Sequence, residues 1–182
     1  PDGLVFTNHH CGYGAIQALS TPEDDLLTNG FVAHKHSEER PVEGLFVKFL
    51  VRTEECTTRV MTALDSIYRA NPQEEPRHID LHKIDSICRA IEQDYSKADS
   101  SLECQVKSYY GGNAYYVSLY RVYRDVRLVF TATETLGKFG GDTDNWMWPR
   151  QTCDFSVFRI YAHADGTPSE YSADNVPLKT TR

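Results

Sequence analysis

The chain has 182 residues, of which 26 are acidic and 19 basic, so its net charge is -7 at pH 7. This acidic balance repels phosphate groups and argues against binding of nucleic acid or an anionic membrane. Hydrophobic residues make up 40% of the chain, yet no apolar run approaches the roughly 18 residues of a membrane span. The composition therefore predicts a soluble globular domain, or part of one, without a membrane span.

The five cysteines are not arranged as a redox or zinc motif. No C-x-x-C pair occurs among them, which excludes zinc ribbons and thioredoxin-like sites. An odd number leaves at least one thiol unpaired within the chain, and the spacing does not fix any pairing. Because the first residue is Pro1, we expect the sequence to be a segment of a longer or processed chain.

The first half of the chain predicts two strands and two helices. Residues 3–7 read as a short strand, and the glycines of NHHCGYGAI predict a sharp turn before a brief helical stretch. The apolar residues of EGLFVKFLVR predict a strand buried mostly on both faces. A helical spacing of apolar residues then predicts two amphipathic helices, at about 54–70 and 78–98.

The second half changes to the period of β-strands. LECQVKSYY and AYYVSLYRVY, joined by Gly-Gly-Asn, predict a hairpin, and residues 125–131 and 154–162 predict two further strands. The loop between these last strands is long and rich in glycine, aromatic and acidic residues. Loops of this kind more often serve a site than merely connect two elements.

Two histidines and a cysteine follow the first predicted strand. On extended backbone, His9 and His10 would point in opposite directions and could not easily bind one metal ion. An apolar strand followed by His-Cys is also the arrangement around the general base of chymotrypsin-like serine peptidases. By itself, this pattern leaves a buried or capping histidine as an equal alternative.

A general-base histidine needs a carboxylate that holds its tautomer, and Asp154 at the head of DFSVFRIYA is a candidate. The alternative is a turn or strand-capping aspartate. His10 and Asp154 are 144 positions apart, against about 45 for the same pair in chymotrypsin. The two predicted helices and their flanks nearly account for the difference, so a helical insertion would reconcile the two spacings.

TNHHCGYGAIQ and GKFGGDTDNWMWPRQTCDFSVFRIY resemble the bacterial serine dipeptidyl-peptidase family that includes dipeptidyl peptidases 7 and 11. The resemblance implies a mainly β fold with an α insertion, as part of a chymotrypsin-like double β-barrel. Residues 1–165 would be the partial barrel domain, with its helical insertion at about 54–98. Residues 166–182 would be a linker toward a missing helical domain and second barrel.

The resemblance also implies an activity. Such enzymes release dipeptides from peptides with a free amino terminus, without metal or other cofactor, in the periplasm or at the surface of Gram-negative bacteria, and they form homodimers. His10 and Asp154 match the catalytic histidine and aspartate, and Asn145 and Trp146 match residues that hold the substrate's amino terminus. The serine would lie downstream in a G-N-S-G-S type motif that this chain lacks, so we expect the segment alone to be inactive.

Two alternatives stay open. A non-catalytic peptide-binding relative would keep the fold and the amine site but have no serine nucleophile in the rest of the protein. The other alternative is a metalloprotein. His78 and His82 are spaced i, i+4 on a predicted helix with Asp85 nearby, a spacing that can bind a divalent metal ion. The glutamate of the H-E-x-x-H motif is missing. Asp142 and Asp144 are followed by too few oxygen ligands for a calcium loop.

Overall fold

The computed structural model describes residues 2–70, 81–137 and 152–179. In chain order the elements are β1 (Leu4–Thr7), α1 (His9–Leu19), α2 (Leu26–Asn29), β2 (Phe31–Val32), β3 (Arg40–Pro41), β4 (Val47–Glu55), α3 (Thr57–Ala70), α4 (Leu81–Ala98), β5 (Glu103–Tyr109), β6 (Ala114–Tyr123), β7 (Asp125–Thr131), α5 (Glu134–Gly137), β8 (Ser156–Ala162) and β9 (Val176–Pro177). Single 3₁₀ turns occupy His36–Glu38 and Tyr110–Gly112. Among the described residues, none of the helices has both the length and the hydrophobicity of a membrane-spanning segment.

The chain divides into two compact units, one made of Pro1–Val47 with Tyr123–Arg182 and the other of Lys48–Val122. The prediction of a mainly β fold with an α insertion is confirmed, because antiparallel sheets form the framework and α3 and α4 lie where the helical spacing placed them. The domain boundary at residue 165 stays a prediction, and β9, beyond that boundary, pairs with β8.

The first unit is built on one antiparallel sheet. Its strands run in the order β1-β8-β7-β2, with β3 also paired to β7 and β9 to β8. In the β1–β8 pair Thr7 lies opposite Ser156, so the end of β1 meets the beginning of β8. Segments that are far apart in sequence, just after Thr7 and just before Ser156, therefore reach the same end of the sheet.

Helix α1 covers the apolar face of this sheet. Its buried residues are His9, Gly12 and Ile16, whose three- and four-residue spacing forms one helical stripe. Gly12 matters because a Cβ there would lie 3.3 Å from the Phe158 ring, tighter than an ordinary van der Waals contact. The prediction of a sharp glycine turn before a helix was wrong. The helix begins at His9 and contains both glycines of the motif, neither of which has a positive φ.

Buried charges also hold the first unit together. The Glu39 carboxylate accepts hydrogen bonds from Arg159 Nε at 2.9 Å and from the Tyr161 hydroxyl at 2.9 Å. Burial and the hydrogen bond to Glu39 raise the pKa of the Tyr161 phenol, so it remains a donor at neutral pH. The three side chains fix β8 against the segment that precedes β3.

Glu39→Ala should destabilise the full-length protein by about 3–5 kcal/mol, because it leaves the Arg159 guanidinium buried without its counter-charge. The measurement is urea unfolding followed by tryptophan fluorescence. Glu170→Ala is the matched control, because its pair with Arg124 is exposed and spans 3.8 Å, so its loss should cost no more than about 1 kcal/mol. Equal midpoints for the two variants would contradict a stabilising role for the buried pair.

The second unit is a three-stranded sheet, in the order β4-β6-β5, packed against α3 and α4. Its buried core is Cys56, Val60, Ile84, Ile87, Ile91, Leu102, Tyr115, Val117 and Leu119. The predicted hairpin forms, with β5 and β6 paired from Glu103–Tyr120 to Tyr109–Ala114.

The prediction that the β4 strand is buried on both faces was wrong. The strand forms, but most of its side chains are exposed, including Phe49, Leu50 and Val51. An apolar run of this kind is typical of a strand that is covered on both faces. Within the described ranges, however, β4 stands at the edge of its sheet, where fewer neighbours cover it.

Candidate active site

The two ends that meet at the β1–β8 pair bring His10 and Asp154 together. Asn8 is still extended, with φ -66° and ψ 146°, and α1 begins at the next residue. The His10 ring then reaches Asp154, with Nδ1 at 2.8 Å from Oδ2 and at 3.1 Å from Oδ1. This contact joins residues 144 positions apart and lies entirely within the first unit.

Asp154 is held by donors from the turn between β1 and α1. Oδ1 accepts from the backbone N–H of His10 at 3.2 Å, and Oδ2 accepts from the Asn8 amide at 3.1 Å. Burial by itself would raise the pKa of the Asp154 carboxyl, but the hydrogen bonds from Asn8 and His10 outweigh it and lower the pKa. The carboxylate is therefore ionised at neutral pH and oriented from two sides.

The contact also determines the tautomer of His10. An ionised carboxylate only accepts hydrogen bonds, so Nδ1 must carry the proton in the bond to Asp154. In a neutral ring the lone pair is then on Nε2. The His10 side chain is 56% exposed and that of Asp154 22%, so the ring is accessible while its partner is mostly covered. Chemically, the pair can accept a proton at Nε2 and stabilise the resulting imidazolium.

His9 occupies the opposite kind of environment. It is 1% exposed, its Nδ1 lies 3.2 Å from the Thr131 hydroxyl, and its Nε2 has no hydrogen-bond partner among the described residues. Burial lowers the pKa of His9, against the opposing pull of the Asp154 and Glu134 carboxylates, and the neighbouring His10 lowers it further. The ring is therefore neutral at pH 7.

The two histidines do point in different directions, but not for the predicted reason. They lie on helical rather than extended backbone, where successive side chains are turned by about 100°. His9 consequently falls on the buried stripe of α1, and His10 lies beside it at the helix start, facing Asp154.

Short helix α5 supports the segment that leads into Asp154. The Leu136 carbonyl accepts from the backbone N–H of Cys153 at 2.8 Å and from the Thr152 hydroxyl at 2.9 Å. The Gly137 carbonyl accepts from the same hydroxyl at 3.0 Å. Two residues immediately before Asp154 are thus fixed to α5.

A sequence model of the family described as peptidase S46 matches residues 1–182. This chain belongs to the peptidase S46 family. It is 48% identical over 177 residues to dipeptidyl-peptidase 7 of Porphyromonas gingivalis, and 44% identical over 182 residues to the Asp/Glu-specific dipeptidyl-peptidase of the same organism. These alignments include 97% and 99% of this chain but 24% and 25% of the relatives, so the chain spans about a quarter of their length.

The fold of this S46 chain also matches solved structures. The crystal structure of Porphyromonas endodontalis DPP11 with substrate superposes with a TM-score of 0.84 at 38% sequence identity, over 100% of this chain and 26% of that one. The complex of the same protein with the dipeptide Arg-Glu gives 0.82 at 39% identity. The expected resemblance to the dipeptidyl-peptidase family is confirmed.

Several predicted residues of the S46 chain lie outside the described ranges. These are the substrate-binding candidates Asn145 and Trp146, together with His78, Asp142 and Asp144. Across residues 2–70, 81–137 and 152–179, no three His, Cys, Asp or Glu side chains come close enough to form a metal site.

Sequence reasoning missed the polar residues that hold Asp154, His9 and the segment before Asp154. Asn8 could have been suspected, because a polar side chain just before a helix is a common hydrogen-bonding position. Thr131 and Thr152 carried no such signal, since a threonine at a strand end or in a loop is ordinary in both places. Only the fold of the S46 chain shows that Thr131 contacts His9 and that Thr152 contacts α5.

Proposed function

We propose that the full-length protein is a serine exopeptidase that releases dipeptides from the free amino terminus of peptides. In this segment His10 would be the general base and Asp154 the group that orients it, while the serine nucleophile would lie outside this chain. The observation that carries the proposal is the 2.8 Å contact between His10 Nδ1 and Asp154 Oδ2, formed between two motifs 144 positions apart.

The chemistry follows from the tautomer of His10. With Nδ1–H bonded to Asp154, Nε2 is free to take the proton of a serine hydroxyl as its oxygen attacks the scissile carbonyl. The proton then passes from Nε2 to the leaving amine. In the second step water attacks the acyl ester and gives its proton to Nε2, which returns it to the serine oxygen as the dipeptide is released. The Asp154 carboxylate stabilises the imidazolium in both steps without itself becoming protonated.

The rest of the active site would come from the missing part of the protein. The antiparallel sheet of the first unit would be the first barrel of a chymotrypsin-like double barrel, and the second barrel would supply the serine. Without that serine no acyl intermediate can form, so the isolated segment should be inactive. The periplasm or cell surface of a Gram-negative bacterium, where peptides are available, is the expected location, and the full-length protein would act as a homodimer.

An enzyme that counts two residues must also hold the substrate's ammonium group at a fixed distance from the base. Asn145 would supply a carbonyl oxygen as acceptor, and Trp146 a flat wall with a cation–π contact. Both precede Asp154 by fewer than ten positions, so they belong to the connection that leads into the His10–Asp154 pair. Relatives of this chain are named dipeptidyl-peptidases, and the structure of one relative contains a bound dipeptide, which supports a peptide substrate for this protein.

The test compares dipeptide-reporter substrates with free and acetylated amino termini. Acetylation should abolish most turnover by the unmutated full-length protein, because it removes the charge that the clamp binds. Asn145→Ala should lower kcat/KM for the free substrate by about ten- to a hundredfold, since a hydrogen bond to a charged group contributes about 1.5–3 kcal/mol. The acetylated substrate should lose little further.

Asn29→Ala is the matched control, because Asn29 is an exposed residue at the end of α2. Its kcat/KM should equal that of the unmutated protein. The amine clamp is refuted if Asn145→Ala behaves like this control, or if acetylated and free peptides are cleaved equally well.

A further inference from the structure

A buried, neutral histidine, His9, lies directly beside the proposed base and has no part in the proposed mechanism. His9 is 1% exposed, and its Nε2 lacks a partner among the described residues. A buried polar atom without a hydrogen bond costs free energy, so an apolar residue would serve packing alone at least as well. The surroundings of the ring indicate what it does there.

One edge of the His9 ring is anchored to the sheet. Nδ1 lies 3.2 Å from the hydroxyl of Thr131, at the end of β7, and the Ser156 hydroxyl donates to that same oxygen at 3.4 Å. Since the Thr131 hydroxyl also lies 3.2 Å from the Ala132 carbonyl, it can donate there and accept the proton of Nδ1. In this arrangement Nε2, which has no partner among the described residues, is a bare acceptor, and this is less costly than an N–H without a partner.

The ring also contacts the backbone of α5. A Cβ added at Gly137 would lie 2.6 Å from both Cγ and Cδ2 of His9, closer than real Cβ contacts, and the nearest atoms belong to a rigid ring. Gly137 therefore sits directly against the imidazole, and the lack of a side chain allows this approach. A shift of the His9 ring toward Gly137 must therefore move the end of α5.

From α5 the connection continues to the proposed catalytic pair. The Leu136 and Gly137 carbonyls hold the Thr152 hydroxyl, and the Leu136 carbonyl also holds the Cys153 N–H. Asp154 is the next residue. An unbroken series of contacts thus joins the Thr131 hydroxyl to the residue before Asp154.

We propose that His9 is a positioning residue for the reaction assigned above: anchored on Thr131, its ring sets the place of Gly137 and α5, which in turn hold Asp154 against His10. The inference rests on the proposed function, because it assumes that the His10–Asp154 contact is used in catalysis. His9 acts through Asp154 and makes no contact with the substrate.

The test uses the full-length protein and compares each change in two backgrounds, unmutated and Asp154→Asn. In the unmutated background, His9→Ala should lower kcat by about 10- to 100-fold with KM changed less than about threefold, because a misplacement of about 1 Å can cost this much. Thr152→Val, which removes both hydroxyl contacts to α5, should lower kcat by about 3- to 10-fold. Thr62→Val makes the same change at an exposed position of α3, which has no part in this series of contacts, and should have no effect.

In the Asp154→Asn background, His9→Ala and Thr152→Val should each change the residual kcat by less than about twofold, because residues that act through one group are not additive. A purely structural role would instead lower kcat by the same factor in both backgrounds and would overturn the inference. If His9→Ala does not fold, Thr131→Val, which removes the hydroxyl that anchors the His9 ring, replaces it with the same expected result in each background.

The two proposals fail in different ways. If Asp154→Asn alone leaves kcat unchanged, the proposed function is wrong and the inference falls with it. If Asp154→Asn inactivates the protein while His9→Ala and Thr152→Val both match Thr62→Val, the function stands and the positioning role of His9 is refuted.

Discussion

His10→Ala in the full-length protein should lower kcat for dipeptide release by roughly 10⁴- to 10⁶-fold. The change removes the imidazole ring that Asp154 orients, and with it the basic nitrogen Nε2. The serine would then have to attack without a base. The substrate would still bind, so KM should change little. Single-turnover kinetics with a fluorogenic dipeptide substrate measure the loss.

Two histidine controls accompany this variant. His34→Ala removes an exposed ring and should retain full activity. His9→Ala should lose far less than His10→Ala, because His9 is buried and does not face Asp154 in a hydrogen bond. If the order of the two losses were reversed, His9 would be the base and the assignment of His10 would be wrong.

Asp154→Asn should lower kcat by about 10⁴-fold while the protein remains folded. An asparagine at this place can still accept from the backbone N–H of His10 through its oxygen, which turns its NH₂ group toward His10 Nδ1. The ring must then accept at Nδ1 and carry its proton on Nε2. In that tautomer it cannot take the serine proton.

Asp165→Asn provides the same chemical change at an exposed turn, where the carboxylate accepts from Thr167, and it should leave kcat unchanged. Thermal unfolding of both variants separates a loss of catalysis from a loss of fold. Activity within tenfold of the unmutated protein in Asp154→Asn would exclude the tautomer-holding role.

Much of the fold could be predicted because its signals are local. The spacing of Val60, Ile84 and Ile91 identified α3 and α4, since an amphipathic helix needs one apolar stripe wherever it packs. Alternation and a Gly-Gly-Asn turn identified the β5–β6 hairpin for the same kind of reason. These features depend on residues fewer than about twenty positions apart.

The errors arose where burial depends on distant partners. The apolar run of β4 looks the same in a central strand as at an edge, so its exposure could not be read from Phe49 or Val51. The start of α1 was misplaced because Gly12 suggests a turn, whereas its small size is used for close approach to Phe158, 146 positions further along the chain. The local sequence pattern does not contain the burial or close approach that arises from residues distant in the chain.

The sequence by itself determined the S46 membership, the antiparallel framework with its helical insertion, and the candidate pair His10 and Asp154. Long motifs and periodic patterns can be recognised from the sequence alone. Only the tertiary structure decided where each histidine lies. The antiparallel pairing of β1 with β8 carries Asp154 to the beginning of α1, and the helical turn there directs His10 toward it and His9 into the core. Adjacent, chemically identical side chains differ only in what surrounds them, and those surroundings come from strands and helices more than a hundred residues away.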